Sequence, residues 1–309
     1  MTYHVGVQLP VNSIAGERTN PDLGRVARHA ELLGLDSVWV GDRLSAGFPV
    51  LDPSLVLATA AAATERVEVG YGVMLLALRS AAWAAKQIGT LQHLSRGRVV
   101  LGVGVGSGDR AEWAAAGVPP QGRGRRTEEL LGLLPGLLAG EPTALTDLPG
   151  RPTATLAPAV AMPPVWIGGG SGSALLRAVT HGQGWLASLK SPKRLAQDAD
   201  QLERIAAERG VPAPPVGIYV FLRMTERAGA AATASAVVAD RLGAKYGLDR
   251  AAASEIGLGG TPRQVAERLR EYAEAGARRF VLVPSGADDD DPYRQYELFA
   301  EARSLLLAG

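Results

Sequence analysis

The sequence predicts an α/β protein of the (β/α)8 barrel class, with extra segments after the fourth helix and after strand seven. Three observations predict it. Eight short apolar runs are each followed by residues at helical spacing. Five helix starts share one signature, an acceptor side chain followed by proline: Asn20-Pro21, Asp52-Pro53, Ser191-Pro192, Thr261-Pro262 and Asp291-Pro292. The acceptor caps the first turn, and proline follows where a missing N–H costs nothing. Finally, AELLGLDSVWV, LQHLSRGRVVLGV and AEAGARRFVLV repeat one grammar of helix, glycine turn and buried strand.

The elements follow in order. VGVQLP at 5–10 is an apolar run stopped by proline, and Leu23, Val26, Ala27, Ala30 and Leu33 then recur at helical spacing until Gly34. SVWVGD at 37–42 is the second strand, and further strands are expected near 67–73, 99–106, 165–169, 184–188, 217–224 and 279–284. Thr261 with Gln264 fits a capping box. All 309 residues (1–309) are read as one domain, since no linker divides them. The alternative is an open doubly wound sheet. Two segments exceed the bare grammar: 140–164, rich in proline and glycine, and 226–259, rich in alanine. Both are expected to cover a site.

Composition narrows the function. The net charge of +1 supplies no basic field for nucleic acid. The absence of cysteine excludes thiolate chemistry, disulfides and cysteine-ligated metals. Without a signal-peptide pattern or a long apolar run, no membrane association is expected and a cytoplasmic enzyme or binding protein is the default.

In a barrel, chemistry sits at the C-terminal ends of the strands. There the sequence offers Gln8 and Asn12, Asp42 and Arg43, Tyr71 to Val73 with Arg79, Gly106 to Asp109, Gly168 to Ser171, Ser188 and Lys190, Tyr219, Phe221 and Arg223, and Ser285 with Asp288–Asp291. The run LGVGVGSGD is not a dinucleotide fingerprint. From Gly102 the sixth residue is Ser107, and from Gly104 it is Asp109. Gly102 and Gly104 are expected to thin the barrel wall, while Gly106, Ser107 and Gly108 put bare backbone at the mouth. VWIGGGSGSALLRA is the stronger signal. Gly168, Gly169 and Gly170 precede a helix that opens with Ser171 and Ser173, a ready anion site suited to phosphate. His4, His29, His93 and His181 all fall away from the mouth, so a histidine base, a histidine metal cluster and a Ser-His-Asp triad are missing. Asp42 and Asp109 remain as candidate bases or as satisfied loop carboxylates. Asp288–Asp291 reads as a solvated loop and helix cap, not a metal site. A phosphate cradle with few protic groups suits a cofactor that carries the chemistry itself.

With these residues in hand, the chain resembles the luciferase-like monooxygenase superfamily of flavin- and deazaflavin-dependent oxidoreductases. LGLDSVWVGDRL, VGYGVMLLALRSAAWAAKQIGTLQHLSRGRVVLGVGVGSGDRAEWAAAGVP, PPVWIGGGSGSALLRAVTHGQGWLA and GGTPRQVAERLREYAEAGARRFVLV carry the resemblance in the right order. It implies a TIM barrel holding FMN or the deazaflavin F420, the ring near Asp42, Gly72 and Val73 and the phosphate near Gly168, Gly169 and Gly170. It also implies a non-proline cis bond at Gly72–Val73, a small-molecule substrate and a homodimer. The chain departs from the deazaflavin pattern by Asp42-Arg43 where Asp-His is frequent, and by Leu78-Arg79-Ser80-Ala81 where Leu-Arg-His-Pro is frequent. The departure favours a reductase over an alcohol dehydrogenase needing a histidine base, and the compact chain, which resembles the shorter deazaflavin branch, favours F420; Asp42 and Arg43 are the catalytic candidates, Arg43 either meeting an anionic group or forming a salt bridge. The alternatives are an FMN monooxygenase served by a separate reductase, and a non-catalytic flavin-binding barrel. Arg110, Arg123, Lys190 and Lys193 are candidates to meet the acidic tail of the deazaflavin.

Overall fold

The computed structural model describes residues 2–11, 22–45, 50–286 and 291–308. The chain runs β1 (His4–Gln8), α1 (Leu23–Leu32), β2 (Ser37–Val40), α2 (Pro53–Ala63), β3 (Glu68–Met74), α3 (Ala81–Leu94), β4 (Val99–Val103), α4 (Arg110–Ala115) and α5 (Arg123–Leu138). A two-residue ladder, β5 (Thr143–Ala144) with β6 (Thr153–Ala154), precedes β7 (Val165–Gly168), α6 (Gly172–His181), β8 (Gly184–Ala187) and α7 (Pro192–Glu208). Then come β9 (Val216–Met224), α8 (Ala231–Tyr246), α9 (Arg250–Ile256), β10 (Leu258–Gly260), α10 (Pro262–Glu274), β11 (Ala277–Pro284) and α11 (Pro292–Leu307).

Eight of these strands close on themselves in parallel, in the order β1-β2-β3-β4-β7-β8-β9-β11. β10 pairs with the far end of β9, outside the ring. This is the expected barrel rather than an open sheet, because β8 pairs with β9 and β11 returns to β1. Four of the acceptor-proline starts cap α2, α7, α10 and α11, and the Gln264 side chain accepts the Thr261 N–H at 3.0 Å. The fifth is corrected. Asn20 and Pro21 lie outside the described residues, and Asp22 caps α1 by accepting the Arg25 N–H at 3.0 Å. Asp291 caps α11 as expected, and Asp288 to Asp290 lie outside the described residues, as does Asn12.

Apolar residues fill two layers. One lies between barrel and helices, the other inside the barrel around Trp39, Trp166, Tyr219 and Phe221. The floor is charged: Arg279 pairs with Glu68 at 2.5 Å and lies 4.8 Å from the Trp166 ring centre and 5.7 Å from that of Trp39. Two indole faces and one carboxylate compensate a guanidinium that is 6% exposed.

The fourth-strand glycines have a local cause. The Gly72–Val73 bond is cis, and the β3–β4 register shifts between Tyr71 and Met74. The Val73 side chain turns toward β4 and β7. A Cβ on Gly104 would overlap it, and one on Gly168 would sit 2.9 Å from Val73 Cγ1. Glycine there makes room for the third strand.

The two extra segments part company. Residues 140–164 line no part of the barrel mouth. They follow the flank of α3, where Asp147 accepts the Ala81 N–H, Lys86 donates to the Ala157 carbonyl and Gln92 donates to the Ala161 carbonyl. The expectation that they cover a site is therefore corrected. Residues 226–259 do reach the mouth, through the end of α8.

Candidate active site

A cavity of about 250 Å³ opens where the C-terminal ends of the strands converge. Asp42, Arg43, Gly72, Val73, Gly106, Ser107, Gly168 and Gly169 line it, together with Gln8, Leu186, Ser188, Tyr219, Phe221, Lys245 and Tyr246. No histidine and no cluster able to hold a metal ion lies there among the described residues.

Asp42 and Arg43 are neighbours in sequence with opposite partners. The buried Asp42 carboxylate accepts from both terminal nitrogens of Arg79, at 2.6 and 3.1 Å, and from the Leu75 N–H at 2.8 Å. This bidentate pair ties the end of β2 to the loop after β3. Arg43 donates through Nε to Glu112 Oε1 at 2.9 Å, and its Nη2 lies 3.7 Å from Asp109. Glu112 is fully buried, and the same oxygen accepts the Leu44 N–H at 3.0 Å. Asp109 itself caps α4 by accepting the Ala111 N–H.

The mouth backbone is fixed by indoles. Trp113 Nε1 donates to the Ser107 carbonyl at 3.0 Å, and Trp185 Nε1 donates to the Gly169 carbonyl at 2.6 Å. Gly169 needs its freedom, since its φ is 114°. Below them the Tyr219 hydroxyl is buried beside Gly72 and has no hydrogen-bond partner among the described residues. Burial raises its pKa, which keeps it a neutral donor.

Three expected ligand contacts lie apart from the cavity. Gly170 faces Lys190, whose Nζ would meet a Cβ there at 2.7 Å. Lys190 is itself paired with the buried Asp198 at 2.8 Å. Ser171 caps α6 and lines an outer groove of about 400 Å³ with Ser173, Arg123 and Arg177. Gly108 lines an adjoining depression of about 220 Å³ with Arg110 and Arg123. Val105 and Ser171 of the groove are one and two residues along the chain from Gly106 and Gly169 of the cavity. Four side chains went unread: Glu112, Trp113, Lys245 and Tyr246. Tyr246 carried a signal, being the single aromatic residue between 226 and 259.

The family model for luciferase-like monooxygenases matches residues 4–279, and the chain belongs to that family. It is 38% identical over 138 residues to a 4-hydroxyprotoasukamycin monooxygenase of Streptomyces nodosus subsp. asukaensis, a match covering 43% of this chain. That match spans only 37% of the relative's own length. An F420-dependent secondary alcohol dehydrogenase in complex with an F420-acetone adduct superposes with a TM-score of 0.81 at 17% identity, over 99% of both chains. The oxygenating constituent of a 3,6-diketocamphane monooxygenase from the CAM plasmid of Pseudomonas putida, in complex with FMN, superposes at 0.76 and 17% identity, over 97% of both chains. Solved relatives of this fold thus include both a deazaflavin and a flavin enzyme.

Proposed function

We propose that this chain is an oxidoreductase that binds F420 and acts as a reductase on a small organic substrate. The observation that carries the choice of cofactor is the pair of depressions beyond Gly106 and Gly169, made basic by Arg110 and Arg123; the Arg177 of the outer groove is already paired with Glu128 at 2.8 Å. A phosphate at the start of α6 would use the groove of Ser171 and Ser173, and an acidic tail extending past it the depression of Arg110 and Arg123. The residues fit the cofactor in two further respects. The mouth is edged by Cβ-free backbone at Gly106 and Gly169, and the inner cavity, at about 250 Å³, is smaller than a typical whole-ligand pocket and suits a ring system alone.

When bound, the cofactor supplies hydride at its ring. The chain supplies the setting. Asp42, locked by Arg79 and Leu75, anchors the wall that carries Val73 and serves as a brace rather than a base. Arg43, held by Glu112, presents positive charge to the substrate. Leu186, Val73, Phe221 and Tyr246 exclude water, and the Tyr219 hydroxyl offers a hydrogen bond inside the cavity.

The second reading is an FMN monooxygenase using oxygen and reduced flavin from a separate reductase, favoured by the identity to the Streptomyces monooxygenase. Parallel titration of the purified protein with FMN and F420, followed by fluorescence and melting temperature, separates them. Selective F420 binding is expected. Selective FMN binding, with oxygen uptake on addition of reduced flavin, would establish the second reading, and no affinity for either would leave a barrel without this chemistry.

A further inference from the structure

Two helices on the outside of the barrel lack the charge that a solvent-facing helix carries. α2 and α3 pack side by side behind β2, β3 and β4. In a chain that is 20% charged, Lys86 is their only Asp, Glu, Lys or Arg. Lys86 turns aside and donates to the Ala157 carbonyl on the 140–164 flank. A helix beside solvent sets polar residues opposite its core face, and one that is apolar all round belongs in an interior.

Two stripes make up the outward face. Leu55, Ala58, Thr59 and Ala62 recur at helical spacing on α2, and Trp83, Gln87, Thr90 and Leu94 do so on α3. Leu55 is 72% exposed, Trp83 71% and Leu94 55%. The Thr59 hydroxyl donates to the Leu55 carbonyl within its own helix, so its polar atom is already used. Leu32, exposed at the end of the neighbouring α1, widens the patch. Apolar residues scattered singly over a surface are ordinary, whereas a contiguous uncharged face marks a contact.

We propose that this face is covered by the same face of a second copy of the chain, related by a twofold axis. Such a contact sets each patch against itself, so a charge on it would meet its like across the axis. These stripes hold no charge to repel and none that calls for an opposite partner. An anionic membrane surface would call for lysine or arginine within the face, and neither stripe has one. The relief is self-complementary as well. Ala58 and Ala62 leave low ground on α2 while Trp83 stands high on α3, so a twofold can seat the bulk of one copy in the hollow of the other. At about 1.5 Å per residue and roughly 8–10 Å between axes, the two helices offer a face of several hundred Å², the scale of the ~800 Å² that each partner buries in a stable complex.

The same helices back the wall of the cavity. Tyr71, beside Gly72, donates to Ser54 in the first turn of α2 at 3.1 Å, and Arg79, which holds Asp42, directly precedes the cap of α3. Pairing the helices braces that wall in both copies.

Sedimentation equilibrium of the purified chain, from low micromolar to near-millimolar protein, tests the contact. It needs no cofactor, so its outcome is independent of the oxidoreductase reading. Wild type should fit a monomer–dimer equilibrium dominated by dimer. Trp83→Asp and Leu55→Arg each place a charge in the contact twice and should raise the dissociation constant roughly a hundred-fold or more. Both side chains are exposed in a single copy, so the far-UV circular dichroism of the variants should match wild type. Leu307→Glu, at an exposed leucine on α11 away from the face, should leave the equilibrium unchanged. A wild type that is monomeric throughout, a dimer that withstands both substitutions, or one that Leu307→Glu breaks equally well would overturn the proposal.

Discussion

Residues 140–164 and 226–259 are two excursions of similar length that the barrel does not need, and they have opposite fates. The first leaves α5 and returns to β7, so it joins a helix to a strand. The second leaves β9 and reaches α10, so it joins a strand to a helix. In a parallel barrel only the second kind of connection starts at the mouth. The first stays on the outer flank of α3, where its Asp147 caps a helix whose own Ser80 makes no side-chain cap. The second folds back as α8 and sets Lys245 and Tyr246 against the cavity. Chain polarity, not composition, decides which excursion can select a ligand.

Substitutions in each segment break or sharpen this contrast. The largest effect is expected from Gly259→Ala. Gly259 exchanges hydrogen bonds with the Ser235 side chain, and a Cβ there would overlap the α8 backbone. Urea unfolding should show a loss of about 1–3 kcal/mol, and cofactor affinity should fall with it because α8 is displaced. Asp147→Ala removes the acceptor for Ala81 and should cost about 0.5–2 kcal/mol with cofactor affinity unchanged. A change in affinity there would mean that the first segment does reach the site.

Tyr246→Leu loses the contact with Phe221 and should weaken cofactor affinity by about 0.5–1.5 kcal/mol while the melting temperature barely moves. The smallest effect belongs to Lys86→Met. The exposed Lys86 reaches the Ala157 carbonyl, and its loss should stay within about 0.5 kcal/mol in thermal melts, with ligand binding untouched.

Much of the fold was legible because its signals are local. Acceptor-proline starts, glycine ends and short apolar runs each act within a few residues, and four caps and eight barrel strands followed them. The mouth was legible wherever strand polarity sufficed: Asp42, Arg43, Gly106 and Gly169 line the cavity. What escaped depends on distance in sequence. Glu112 reads as a surface carboxylate one turn into a short helix, yet it is buried and accepts from Arg43 and Leu44, 69 and 68 residues earlier. Gly170 looks like part of a phosphate loop, yet Lys190 and Asp198 take that space. Tyr246 acquires a role only when α8 folds over β9, a contact that no periodicity along the helix encodes.

On the proposed reading, the slot between Val73 and Tyr246 would receive the cofactor ring, with the tail leaving past Gly106 and Gly169. A crystal structure with whichever cofactor binds tests it directly. Ring density is expected in contact with Gly72, Val73 and the α8 corner, and a phosphate near Ser171. Ring density in the outer groove, or against residues 140–164, would contradict it.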